Sequence, residues 1–135
     1  MLNDFFASIY ELGGLIWFPE FTTQMFNLGQ YGPAGMTLIL SVVVILTFYY
    51  LPYGSPRYNK WFHWLLISII AAIVSSGITQ NRINSEFARE GLLSYVDNEY
   101  LILFFLWNTF LALTLAFFYS LVVKRFSRNG SRSPF

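Results

Sequence analysis

The chain has 135 residues, of which 56% are hydrophobic, 21% aromatic and only 11% charged, and its net charge is +1. A soluble domain carries about 25% charged residues, so this composition is that of an integral membrane protein of one domain rather than a water-soluble one. Without cysteine there are no disulfides, iron–sulfur ligands or thiol nucleophiles, and no basic patch interleaved with aromatics offers a surface for nucleic acid.

Residues 1–20 are too polar to span a bilayer. Leu2, Phe5, Phe6, Ile9, Leu12, Gly13 and Ile16 recur at helical spacing, while Asn3, Asp4, Ser8 and Glu11 fall elsewhere. This predicts an amphipathic helix lying in the membrane interface, with Phe5, Phe6 and Ile9 as interfacial contacts and Ala7 off the apolar face. The same face suits a partner, or a flap packed on the protein's own bundle. Gly13-Gly14 is expected to end the helix and Pro19 to break the chain again. Asp4 and Glu11 stand where a signal peptide would be basic, so no cleaved leader is expected. Thr22–Gly32 reads as a loop, which closes an interfacial segment over 1–33.

Pro33 suits the first turn of a helix. Ala34–Leu51 then holds 18 residues without charge, the first predicted span, and Tyr49, Tyr50 and Tyr53 mark its far end as an interface. Pro52–Lys60, with Gly54 and Pro56, reads as a tight basic turn. The second span runs over Trp61–Thr79, with Trp61 and Trp64 as an interfacial aromatic belt. Within it Ser68, Ala72 and Ser76 repeat every fourth residue, flanked by Ala71 and Ser75. The long connection Gln80–Glu99 offers Ser85 as the cap of a short helix to Glu90, with Gly91 as its stop.

Tyr100–Val123 is the third span, 24 residues with neither charge nor proline. It carries a second stripe, Asn108, Ala112, Ala116 and Ser120, again at every fourth position and therefore on one side of the helix. Lipid gives no reason to keep such a line, whereas a close helix neighbour does. Residues 124–135 form a basic tail. The expected fold is all-α: an integral membrane protein with three transmembrane helices over about 34–51, 61–79 and 100–123, plus the N-terminal amphipathic interfacial helix.

Chemistry is sparse. His63 is the lone histidine and sits between Phe62 and Trp64 at a span end, so it reads as interfacial rather than as a ligand. No metal, cofactor or catalytic residue is expected. No charge lies inside a span, which argues against a proton relay or coupled transport. Asn108 with Ser68, Ala72, Ser75, Ser76, Ala112, Ala116 and Ser120 forms either a helix-packing surface or a pore lining. Two function classes follow. One is a non-enzymatic membrane subunit that packs or oligomerises through these stripes, with the lipid bilayer and a second copy or other membrane subunits as partners. The other is an oligomeric ion channel or pore-forming effector, for which the acidic loops would attract cations. An enzymatic role is confined to that of an accessory subunit.

Charge sets the orientation. Arg57, Lys60, Lys124, Arg125, Arg128 and Arg132 fall on one side of the three-span arrangement and only Arg82 and Arg89 on the other. The positive-inside rule then puts the first turn and the tail in the cytoplasm and the N-terminus and long loop outside, in a plasma (inner) membrane. The sequon Asn129-Gly130-Ser131 falls on the cytoplasmic side, where it is idle. A reporter active only outside the cytoplasm should therefore work when inserted near Gly91 and fail when fused after Phe135. The opposite pattern would reverse the orientation, and activity at both positions would refute three spans.

Overall fold

The structure, a computed structural model, describes residues 1–11, 18–50, 61–95 and 97–123. Among the described residues all regular structure is helical: α1 (Leu2–Glu11), α2 (Pro19–Asn27), α3 (Tyr31–Tyr50), α4 (Trp61–Arg89) and α5 (Asn98–Val123), with a 3-10 turn at Leu93–Tyr95. Three helices, α3, α4 and α5, are long and apolar enough to cross a membrane, and α1 is the short N-terminal helix. Hydrocarbon offers no partner to a free backbone N–H or C=O, so even the β-branched run Val42-Val43-Val44-Ile45 is helical within α3.

Hydrogen-bonded pairs fix the directions of the three long helices. Ser76 meets Asn108 and Trp64 meets Ser120, so α4 and α5 run antiparallel. Thr47 meets Tyr119, while Tyr31 and Phe104 both lie against Tyr10, so α3 and α5 run parallel.

Three local expectations are corrected. Thr22–Gly32 is largely not a loop: α2 occupies Pro19–Asn27, with Pro19 at its start, where proline lacks nothing the helix needs. Phe21 and Met25, one turn apart, are buried, and the Phe21 ring lies 5.8 Å from Phe87 and 6.0 Å from Phe104. Secondly, α4 does not stop at Thr79. It continues to Arg89 with no separate helix capped by Ser85, whose hydroxyl instead donates to the Asn81 carbonyl at 2.9 Å. The polar residues after Thr79 hide a continuing buried line, Thr79, Ile83 and Phe87, spaced by a helical turn. The expected stop at Gly91 holds. Gly91 has φ +69°, and Leu92 N–H reaches the Phe87 carbonyl at 2.8 Å, the bonding that closes a helix through a left-handed residue. Gly29 ends α2 in the same way.

The third correction concerns the sides of α1. Phe6, Ala7 and Tyr10 are buried, with Ala7 only 5% exposed, whereas Phe5 and Ile9 point outward. The helix is apolar over more than one face, and its partner selects which face packs. The Phe6 ring fills the place where a side chain on Gly35 of α3 would begin. Asn3 ties the start of α1 to both neighbours, donating to the Phe26 carbonyl and accepting from the Gly32 N–H, each at 3.3 Å. The expected stop at Gly13-Gly14, the turn at Pro52–Lys60 and the tail at 124–135 lie outside the described residues.

A side chain at position 35 is therefore expected to expel α1. In Gly35→Leu, a spin label at Ser8→Cys, on the exposed side of α1, should become markedly more mobile than in the parent while overall helicity stays unchanged. An unaltered spectrum would show that the Phe6–Gly35 contact does not hold α1.

Candidate functional site

The polar residues of the two stripes meet inside the bundle. Asn108 is 0% exposed, and its amide is engaged by two helices, once through its oxygen and once through its nitrogen. Its Oδ1 accepts from the Tyr10 hydroxyl of α1 at 2.5 Å, and its Nδ2 donates to Ser76 Oγ of α4 at 3.0 Å. Thr109 Oγ1 donates to the Phe105 carbonyl at 2.8 Å, so its one proton is committed. The 2.9 Å contact between Ser76 and Thr109 then has Ser76 as donor. The result is a directed series from Asn108 through Ser76 and Thr109 to the Phe105 backbone, with Tyr10 donating in from the other side.

Tyr10 lies outside both stripes and outside the apolar set read on residues 1–20, so the sequence pattern did not single it out. Its signal was the hydroxyl: a tyrosine one turn from Phe6 on a packed face needs a partner for its O–H. Burial pushes its phenol pKa above the ordinary value, which keeps the hydroxyl protonated and donating.

The remaining stripe residues divide by what they touch. Ala72, Ala112 and Ala116 are completely buried, as their size allows where backbones approach closely. Ser120 accepts from Trp64 Nε1 at 2.8 Å. This splits the two tryptophans that the sequence grouped as a belt: Trp61 is 62% exposed, whereas Trp64 is 8% exposed and turned into the bundle. Ser68 and Ser75 are buried, and their hydroxyls, like that of Thr79, meet no hydrogen-bond partner among the described residues. Of the three residues expected at the interface on α1, Phe5 and Ile9 face outward and Phe6 packs on Gly35. His63 is half-buried beside the Phe62 ring, at a centroid distance of 4.1 Å.

Chemically this is a neutral network of hydroxyls and one amide. It holds helices in register and offers no strong base. No group of three or more metal-binding side chains comes together among the described residues. No family model, curated protein or solved structure matches the chain.

A double-mutant cycle measures the central contact. Tyr10→Phe and Asn108→Leu, unfolded reversibly in detergent, should each destabilise, with a coupling of roughly 0.6–2 kcal/mol between them. Asn108→Leu should cost more than Tyr10→Phe, because it strands both the Tyr10 and the Ser76 groups. A coupling indistinguishable from zero would mean that the two side chains do not interact.

Proposed function

We propose that the chain is a non-enzymatic subunit of a larger membrane assembly. The observation that carries this reading is the closure of the network around Asn108: Tyr10, Ser76, Asn108 and Thr109 hydrogen-bond one another within a single chain. The stripes therefore build a rigid three-helix body, and contacts to a second copy or to other membrane subunits fall on its outer faces. Those faces are the apolar sides of the spans, including Ile73 and Ile78 on α4 and Leu106 and Phe110 on α5, and the polar end of α4 beyond Thr79. The bias of lysine and arginine favours a plasma-membrane orientation with that end outside and the tail in the cytoplasm.

The competing channel reading makes a different demand on the same residue. A pore formed by several copies needs Asn108 in contact with water, and α1 would have to leave it. Two measurements separate the readings. In native membranes Asn108→Cys should resist soluble thiol reagents, and purified protein in planar bilayers should give no unitary currents. On native mass spectrometry of gently solubilised membranes the chain should run in a complex of fixed stoichiometry. Current steps with a reactive Asn108→Cys would establish the channel. A chain found always as a lone monomer would overturn the subunit reading.

A further inference from the structure

The helices α3 and α5 do not close on each other along their whole length. At one level they are joined by the Thr47–Tyr119 hydroxyl pair at 2.6 Å. Towards the end that carries α2 they part, and α1 lies across the gap, seated by Phe6 on Gly35 and by Tyr10 on Asn108. Between this roof and the joined end is a groove of about 300 Å³, walled by Leu38 and Ile39 of α3 and by Leu111, Leu115 and Phe118 of α5. Leu111 to Phe118 rise through about 10 Å of helix. These walls belong to two candidate spans, so the groove sits at the depth of the hydrocarbon.

From these features we infer that the groove holds one acyl chain of a membrane lipid. Its polar wall atoms are already engaged: Thr114 Oγ1 donates to the Phe110 carbonyl at 2.9 Å, and the Tyr10 hydroxyl donates to Asn108. Both hydroxyl protons are committed, so the wall offers no free donor, and a lining of leucine, isoleucine and phenylalanine favours an apolar occupant over water. An empty void of several hundred cubic ångströms forfeits the dispersion contacts of its whole lining. An entire helix, about 10 Å across with its side chains, is too thick to enter. The groove is continuous with the outward-facing surface of Phe110 and Phe118, which the spans present to lipid. What fills it is the hydrocarbon in which α3 and α5 are immersed. The lipid chain then completes the packing of α1, lying against the undersides of Phe6 and Ile9.

The test uses the full chain in phosphatidylcholine nanodiscs doped with a phosphatidylcholine that carries a diazirine on its acyl chain. After irradiation, adducts are mapped by mass spectrometry. Adducts should concentrate at Ile39, Leu111 and Leu115, above the level at Leu106 and Val44, which face outward without a groove. Leu115→Trp, which fills the groove, should abolish the excess at Ile39 and Leu111 and leave Leu106 unchanged, and Ile39→Phe provides a second filling variant should the first not fold. Even labelling of groove and outer residues in the parent chain would overturn the assignment. So would efficient oxidative formation of a disulfide-linked dimer by Leu115→Cys, which would make a second copy the occupant.

Discussion

A primary amide in hydrocarbon has to find its hydrogen bonds inside the protein, and much of this structure depends on how Asn108 does so. Leaving such a group unpaired costs several kcal/mol in an apolar medium, more than most single packing contacts contribute. The constraint is met from two directions at once. Ser76 satisfies the donor side from α4, and Tyr10 satisfies the acceptor side from α1. One residue thus fixes the rotation of α4 against α5 and the seat of α1 across the gap. The alanines on either side permit it. Ala72 and Ala112 are fully buried, so α4 and α5 approach near enough for a short serine to reach the amide.

The position of α1 is set by shape as much as by polarity. An amphipathic helix on its own would lay its widest apolar face on the membrane. Here Gly35 leaves room on α3 for the Phe6 ring, and that vacancy selects Phe6, Ala7 and Tyr10 as the buried side. Phe5 and Ile9 are left outward, where lipid accepts them. The same seat holds α1 over a gap it does not fill, because Gly35 is small and α3 and α5 have parted at that level. The docked helix and the apolar groove beneath it therefore share one cause.

At the α2 end the bundle is extended rather than closed by loops. α4 runs on past its apolar segment, where Ile83 and Phe87 continue its buried line and Phe87 stacks on Phe21 of α2. Phe18 and Tyr100 pack across this junction at a ring separation of 4.9 Å. An aromatic core outside the long apolar windows gives the spans a rigid end and limits how far α1 and α2 can separate from it.

Composition and hydropathy alone determined that the chain is a three-span helical membrane protein, because hydrocarbon admits few backbone solutions and long uncharged runs announce them. The fourfold spacing of Asn108, Ala112, Ala116 and Ser120, and of Ser68, Ala72 and Ser76, also marked which sides carried the small and polar residues. The end at Gly91 was equally legible, since a glycine after a helical run serves the left-handed turn that stops it. The pairing of the two stripes pointed to the Ser68-Ala72-Ser76 side of α4 as the neighbour of Asn108, and Ser76 meets it there, but the second partner of the amide was not legible. Tyr10 and Asn108 are separated by nearly the whole chain, and nothing local tells a tyrosine on an apolar face that its acceptor lies there. The polar residues after Thr79 masked the continuation of α4, and Pro19 concealed α2, because both helices bury their side chains in a shared core, with Phe21 of one against Phe87 of the other, rather than announcing themselves by long apolar runs. Which face of α1 packs, and that Trp64 turns inward to Ser120 while Trp61 does not, were decided only in three dimensions. Those choices depend on which vacancies and which hydrogen-bond partners the neighbouring helices present.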